Sequence, residues 1–348
     1  MMQPDWERYS CQMALPGFDE KAQQRLQDAR ILIVGAGGLG CPVAQYLTAA
    51  GVGNITIADD DAVSESNLHR QILYTPADIG SLKSVVACER LSLQNPQVKL
   101  SAITKRITSG NVSQLVNSND IIVDCTDNFE TRYLLNDAVV IAAKPLVYGA
   151  IYQFEGQVAI WNIVNADGSR SANYRDLYPQ VDATQIPNCA TGGVIPTLAG
   201  IIGCMQANEV IKYLTQTREL LAGKVLVFDA QTMQSRIIKL NNNNTVITSI
   251  QPTQEVGVID AEIAKAGIAD GSMQLVDIRT DQEHDEFNIG GMHFELDELA
   301  DNLDTFDPQK SYVFYCSSGK RSAEAVKLMQ EKLPQVKVYS LKGGVSTW

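Results

Sequence analysis

The sequence contains no C-x-x-C pair and no long apolar run. Its seven cysteines are odd in number and scattered, which argues against both a disulfide framework and a cysteine-built zinc site. The longest apolar candidate, "GGVIPTLAGIIGCM", is interrupted by proline and glycine and is shorter than the roughly 18 residues that a membrane helix needs. The opening "MMQPDWERYS" lacks the basic start and apolar core of a signal peptide. We therefore expect a cytoplasmic protein that does not span a membrane.

Basic residues are also scarce. The chain has 28 Lys and Arg against 40 Asp and Glu, a net charge of −12. Nucleic acid is therefore not expected as the main partner, because phosphate binding needs surplus positive charge. With 348 residues and 45% hydrophobic residues, the chain is long and apolar enough for two or three folded domains.

Strand-like and helix-like segments alternate through the first half of the chain. "RILIVGAG" is a continuous apolar run that ends in glycines, as a buried parallel strand does. A helix is predicted over 39–51, and "NITIADDD" is predicted to be the next strand. The alternation continues to "PLVYGAI" and predicts a Rossmann-like, doubly wound, mostly parallel sheet.

The pattern changes after Gly149. Antiparallel strands are predicted on either side of a long apolar helix over 193–214, and the polar run "NNNNTVITSI" indicates a linker. The remaining residues predict a small α/β unit. The predicted organisation is a first domain over 1–240, a linker over 241–251 and a second domain over 252–348.

A Gly-rich turn follows the first strand and opens a helix. In "GAGGLG" the glycines allow a tight turn and close backbone approach, so that N–H groups at the helix N-terminus face an anion. The carboxylates Asp59 and Asp61 end the next strand, where a ribose-binding acid belongs. The predicted nucleotide-binding glycines are Gly35, Gly37, Gly38 and Gly40.

The residues that follow favour a nucleoside triphosphate. Arg70 and Lys83 can neutralise phosphate charge, and Asp127, at the end of a predicted strand, can hold Mg²⁺. Hydride transfer needs none of these groups. An NAD-binding oxidoreductase fused to a redox domain nevertheless stays open as an alternative. Three polar residues complete the predicted nucleotide site: Asn67, Gln71 and Asn128.

Several motifs recur in order across residues 5–240: "VGAGGLG", "LTAAGVGNITIADDDAVSESNLHRQ", "IGSLKS" and "VDCTDNFETRYLLND". They resemble the MoeB/ThiF family, relatives of ubiquitin-activating enzymes. The resemblance implies a homodimer that adenylates the C-terminal glycine of a small ubiquitin-like sulfur carrier ending in Gly-Gly. It assigns Asp59 to the ATP ribose and Asn67, Arg70 and Lys83 to the phosphates. It also assigns Asp127 to Mg²⁺.

The sequence departs from that family at three places. The N-terminal "RYxRQ" of the family reads "RYSCQ" here, so that Cys11 replaces an arginine that contacts ATP phosphates; Arg8 matches the other arginine. Asn173 and Asp176 replace the first zinc pair, and the second pair has no counterpart near "NNNNTV". A Cys₄ site cannot form without its ligands, so we predict no zinc.

Two cysteines are candidates for covalent chemistry. Cys189 lies at the position of the family's carrier-linked cysteine; the alternative is a partly buried small residue. Cys316 follows a strand in "VFYCSSGKRSAE" and precedes a helix, whose dipole and N–H groups lower the pKa of a thiol there. Arg321 adds positive charge. The C-x₄-R spacing is one residue shorter than a tyrosine-phosphatase loop and suits a sulfur atom.

Residues 252–348 resemble a single rhodanese domain. "LVDIRTDQEHDEFNIGGMH" matches the segment with a buried Asp277–Arg279 pair, and "LKGGVSTW" matches the closing motif. The resemblance implies that Cys316 carries a persulfide. Many relatives have a basic residue after this cysteine, whereas this sequence has Ser317.

The two halves together predict an adenylyltransferase and sulfurtransferase. The acyl-adenylate of a carrier would be attacked by the Cys316 persulfide, giving a thiocarboxylate for molybdopterin or thiamine synthesis or tRNA thiolation. One chain holds both groups and so raises their effective concentration. A cysteine-desulfurase-type enzyme is the expected sulfur donor. The alternative is a sulfurtransferase whose first domain binds the carrier without adenylating it.

Overall fold

A computed structural model of the chain describes residues 6–179, 193–216, 219–240, 245–251 and 256–348. The chain divides into two compact units, Met1–Thr253 and Gln254–Trp348. No helix among these described residues is both long enough and apolar enough to cross a bilayer.

The first unit is built on an eight-stranded sheet in the order β3-β2-β1-β4-β5-β6-β7-β8. The pairs from β3 to β5 are parallel and those from β5 to β8 are antiparallel. The predicted Rossmann-like sheet and the antiparallel strands after it are therefore confirmed. The strands are β1 (Arg30–Val34), β2 (Asn54–Ala58), β3 (Lys99–Ile103), β4 (Ile121–Asp124), β5 (Leu146–Tyr152), β6 (Glu155–Trp161), β7 (Lys224–Asp229) and β8 (Gln234–Lys239).

Helices cover both faces of this sheet, because the central strands are apolar on both sides. All four residues of β4 are buried, as are four of the five in β1. The long apolar helix begins at Pro196, which suits a first helical position that needs no N–H donor. The described helices are α1 (Trp6–Met13), α2 (Glu20–Asp28), α3 (Gly40–Ala49), α4 (Lys83–Gln94), α5 (Val112–Asn117), α6 (Phe129–Ile141), α7 (Tyr174–Leu177) and α8 (Pro196–Thr215).

The second unit has a five-stranded parallel sheet in the order β11-β10-β12-β13-β9. The central strand β12 is buried in four of its five residues, which explains its apolar sequence "SYVFY". The strands are β9 (Val258–Ile259), β10 (Met273–Asp277), β11 (Met292–His293), β12 (Ser311–Tyr315) and β13 (Lys337–Leu341). The helices are α9 (Ala261–Ala269), α10 (Asp281–Glu286) and α11 (Lys320–Lys332).

Candidate active sites

The Gly-rich turn lies where the sheet order reverses, beside the carboxyl ends of β1 and β4. Gly35 has φ +96°. A Cβ at Gly35 would lie 2.6 Å from the Cys125 carbonyl oxygen, and one at Gly40 would lie 1.9 Å from the Gly35 carbonyl oxygen. Larger residues therefore cannot occupy these positions without moving backbone. The crevice at such a reversal is the usual ligand site of an open α/β sheet.

Arg70 and Gln71 lie against this turn. A Cβ at Gly38 would contact the Arg70 Cγ at 3.6 Å, and one at Gly37 would contact the Gln71 Nε2 at 3.4 Å. Gln71 is only 4% exposed, and its Oε1 has no hydrogen-bond donor among the residues that the structure describes. A buried amide oxygen without a donor is costly, so a ligand hydroxyl or N–H group at the turn would satisfy it.

Asp59 is joined to the turn by its carboxylate. Its Oδ2 accepts from the Ala36 N–H at 2.7 Å, and its Oδ1 accepts from the Asp61 N–H at 2.8 Å. Burial raises the pKa of the Asp59 carboxyl, while the Lys83 ammonium and these two N–H groups oppose that rise. Asp59 therefore positions the Gly-rich turn, and each of its oxygens keeps a lone pair for a further donor such as a ribose hydroxyl.

Lys83 is 5% exposed and begins α4 beside the same turn. Its Nζ donates to the Asp61 Oδ2 at 3.0 Å. The Tyr74 hydroxyl donates to the Ala36 and Lys83 carbonyl oxygens at 2.7 and 3.2 Å, and so ties the turn to the start of α4. Tyr74 was not predicted as a site residue, because its place three residues after Gln71 is its only sequence signal.

Asn67 and Asn128 have structural contacts in addition to their predicted roles. The Asn67 carbonyl oxygen accepts from the N–H groups of Arg70 and Gln71, and this short turn brings both residues to the glycines. The Asn128 side chain accepts from the Thr131 N–H at 2.9 Å and caps α6. Such a cap fixes the start of the helix that follows β4.

A buried ion pair supports the loop after β4. The Arg132 Nε donates to the Asp124 Oδ2 at 3.0 Å, and its Nη2 donates to the carbonyl oxygens of Thr126 and Gly149. The guanidinium also lies 4.8 Å from the centroid of the Tyr148 ring. This pair therefore fixes the backbone that precedes Asp127. No motif in the sequence predicted this pair.

Replacing Arg132 by methionine is expected to lower the free energy of unfolding by about 3–5 kcal/mol, because it leaves a buried carboxylate without its partner. Urea denaturation of the full chain measures this loss. The control is Arg106→Met, which breaks an exposed pair with Glu130 and is expected to cost less than about 1 kcal/mol. Equal losses in the two variants would show that the Arg132 pair does not support the fold.

Asp127 lies in the loop three residues after the end of β4 and is exposed, and no donor among the described residues pairs with it. Among those residues no three acidic, histidine or cysteine side chains form a metal cluster. Mg²⁺ commonly binds one or two carboxylates together with substrate phosphates, so a single carboxylate beside a phosphate-binding turn fits that ion. The Mg²⁺ role of Asp127 stays a prediction.

The structure also places the residues that depart from the family pattern. Cys11 is exposed on α1, and the Arg8 Nη1 donates to the Gln94 carbonyl oxygen at 3.3 Å. Asn173 and Asp176 form a capping box at the start of α7. Their side chains hydrogen-bond to each other and to the backbone. The absence of zinc stays a prediction.

In addition, the Asp176 Oδ1 accepts from the N–H and the hydroxyl of Thr245 at 3.1 and 2.5 Å. This links α7 to a segment 69 residues further along the chain. Cys189, the candidate carrier-linked cysteine, lies outside the described residues.

Cys316 is 1% exposed and lies directly after β12. Its Sγ accepts from the Gly319 N–H at 3.1 Å, and its carbonyl oxygen accepts from the Val345 N–H at 2.8 Å. Gly319 has φ +90° and precedes the first residue of α11, so the sulfur lies at the N-terminus of that 13-residue helix. An N–H donor and a helix N-terminus both present positive partial charge to the sulfur.

Arg321 is paired with a carboxylate of its own unit, and its predicted role at Cys316 stays a prediction. Its two Nη atoms donate to the two carboxylate oxygens of Glu283, each at 2.7 Å. The Ser317 hydroxyl also donates to Glu283 at 2.7 Å. The positive charge that Arg321 was expected to give the Cys316 loop is therefore offset by a carboxylate.

The predicted buried pair in this unit forms. Arg279 donates through Nε and Nη2 to both carboxylate oxygens of Asp277, and both residues are buried. The imidazole of His284 lies 2.9 Å from the Asp277 Oδ2 and stacks on His293 with ring centroids 4.1 Å apart. This cluster fixes the segment between β10 and α10.

Comparisons with known proteins match each of the two units to a family. A model of the ThiF family matches residues 9–248, and a model of the rhodanese-like domain matches residues 260–348. The probable adenylyltransferase/sulfurtransferase MoeZ of Mycobacterium tuberculosis is 36% identical over 365 residues, covering 98% of this chain and 92% of the relative. The sulfur carrier protein adenylyltransferase of Thermus thermophilus is 43% identical over 250 residues, covering 71% of this chain and 92% of the relative.

A solved structure of Escherichia coli MccB superposes with a TM-score of 0.60 at 20% identity, covering 70% of this chain and 74% of MccB. At that identity the likeness shows the fold alone. The family resemblance read from the motifs is confirmed by the matches over the whole chain. The chain therefore belongs to the ThiF family, here joined to a rhodanese-like domain, and is an ATP-using adenylyltransferase and a sulfurtransferase.

Proposed function

We propose that the first unit adenylates the C-terminal glycine of a small sulfur carrier protein that ends in Gly-Gly. The observation that carries the proposal is the convergence of Arg70, Gln71 and Lys83 on the Gly-rich turn, beside the strand that leads to Asp127. Cations beside a turn of this kind suit a triphosphate better than a dinucleotide. The name of the Thermus relative supports a sulfur carrier as the acceptor.

In this reaction a carboxylate oxygen of the carrier terminus attacks the α-phosphorus of ATP, and the bond to the leaving pyrophosphate breaks. Arg70 and Lys83 would offset the negative charge that develops on the phosphates. The N–H groups of the Gly-rich turn would orient the same phosphates at the start of α3. When bound, Mg²⁺ held by Asp127 would supply charge neutralisation on the phosphate oxygens.

Sulfur transfer follows at the second unit. The outer sulfur of a Cys316 persulfide attacks the carbonyl carbon of the acyl-adenylate, AMP leaves, and an acyl disulfide forms. A second thiol then attacks the Cys316 sulfur of that disulfide, releasing the carrier thiocarboxylate and leaving a protein disulfide for a cellular thiol to reduce. Cys189 is the candidate either for this second thiol or for the residue that holds the acyl group between steps. A cytoplasmic homodimer and a cysteine-desulfurase-type donor complete the proposal.

ATP–pyrophosphate exchange on the full-length chain with Mg²⁺ tests adenylation. Small Gly-Gly-ending carriers of molybdopterin synthesis, thiamine synthesis and tRNA thiolation are added one at a time. Exchange that depends on one carrier, and is lost when its terminal glycine is deleted, is the expected result and identifies the pathway. Failure of every carrier to support exchange, while thiocyanate still forms from thiosulfate and cyanide, would favour a non-adenylating carrier-binding domain.

A further inference from the structure

The cation beside the Cys316 loop is already paired within its own unit. Arg321 makes a bidentate ion pair with Glu283, and the Arg321 Nη2 also donates to the Ser317 hydroxyl at 3.0 Å. Ser317, the residue after Cys316, directs its own hydroxyl to the same carboxylate. The side chains of Ser317 and Arg321 are thus both turned toward an internal anion.

The position of Glu283 is fixed by hydrogen bonds at the start of α10. It is the third residue of α10 and forms a capping box with Thr280, whose N–H and hydroxyl both lie 3.2 Å from the Glu283 Oε2. Hydrogen bonding from Arg321, followed by that from Ser317 and Thr280, holds the pKa of Glu283 well below its usual range despite partial burial. A lowered pKa means that the charge is lost only at low pH, so Glu283 is ionised at neutral pH.

We propose that Glu283 sets the sulfur-donor specificity of Cys316 by excluding oxyanion-bearing donors from Arg321. The proposal rests on the proposed role of Cys316 as the sulfur-carrying residue. Under this proposal Ser317 also has a function. Its hydroxyl holds the Glu283 carboxylate beside the loop, whereas a basic residue at this position would attract an anion.

The two classes of donor place different demands on the loop. With thiosulfate, the Cys316 thiolate attacks the outer sulfur, the S–S bond breaks, and sulfite leaves with the electron pair and both negative charges. That leaving group needs cationic donors. With a persulfide, the thiolate attacks the outer sulfur and the donor thiolate leaves, so no oxyanion has to be bound. The Glu283 carboxylate repels the first donor and leaves the second unaffected.

The test compares Glu283→Gln with Glu286→Gln in the full-length chain. Glu286 lies on the same helix, is exposed and pairs with Gln282, so its replacement removes the same charge away from the loop. Sulfur transfer to cyanide is measured with thiosulfate and with 2-hydroxyethyl persulfide as donors. We expect Glu283→Gln to lower the KM for thiosulfate about tenfold. The Glu286 variant, and both variants with the persulfide, are expected to change less than about twofold.

A double variant that combines Glu283→Gln with Arg321→Gln shows whether the lower thiosulfate KM depends on the arginine. Loss of this effect in the double variant supports the proposal, and its persistence overturns it. An unchanged thiosulfate KM in Glu283→Gln, or an equal change with both donors, also overturns it. If that variant does not fold, Glu283→Asp withdraws the carboxylate by one carbon, and its thiosulfate KM is expected to fall in the same direction. Sulfur uptake by Cys316→Ser would instead contradict the proposed function.

Discussion

Replacing Cys316 by serine is expected to abolish sulfur uptake by the full chain and to leave ATP–pyrophosphate exchange unchanged. A serine hydroxyl is not ionised at neutral pH and cannot form the S–S bond that stores the transferred sulfur. Because Cys316 is 1% exposed and bonded at Sγ and backbone, the isosteric change should keep the loop in place. Intact-protein mass spectrometry after incubation with a persulfide donor measures the added sulfur, and thiocyanate formation measures turnover.

The matched control for this experiment is Cys88→Ser. Cys88 lies on α4, and burial raises the pKa of its thiol to about 11. It is therefore protonated at neutral pH and is expected to take up no transferable sulfur. A Cys316→Ser chain that still gains one sulfur and still forms thiocyanate would show that another cysteine carries the sulfur.

Much of the nucleotide site could be predicted from short stretches of sequence. The Gly-rich turn, the strand before it and the helix after it are all encoded within residues 30–49, so their order was predicted. The charged residues Arg70 and Lys83 were also identified from a short span. Arg132 was not, because its contact with the Gly149 carbonyl joins positions 17 residues apart and depends on the pairing of β4 with β5.

The charge balance of the Cys316 loop could not be predicted from its local sequence. Its strand–loop–helix context predicted the reactive cysteine, and the prediction of an added positive charge followed from the nearness of Arg321 in sequence. The charge balance is set instead by Glu283, which lies 38 residues before Arg321. The only sequence signal at Glu283 is its spacing from Thr280, which indicates a capping box and carries no information about a distant guanidinium.

Replacing Asp127 by asparagine is expected to lower carrier-dependent ATP–pyrophosphate exchange roughly 10²–10³-fold, comparable to the cost of removing one group that stabilises charge in a transition state. The amide keeps the volume of the carboxylate and removes its charge, so it is a poor ligand for Mg²⁺. Because Asp127 is exposed and has no donor among the described residues, the free energy of unfolding should change by less than about 0.5 kcal/mol.

Asp167→Asn is the matched control, since Asp167 is an exposed aspartate in the turn after β6 that bonds Ser169. Its exchange rate should equal that of the unmodified chain. Titration with Mg²⁺ shows whether a loss of exchange comes from weaker binding of the ion. A higher Mg²⁺ concentration should partly restore exchange in Asp127→Asn if the carboxylate binds the ion. Full exchange in Asp127→Asn at limiting Mg²⁺ would exclude Asp127 as a metal ligand. The next acids to test would be those that follow β2, where Asp61 pairs with Lys83 and Asp59 accepts from the Gly-rich turn.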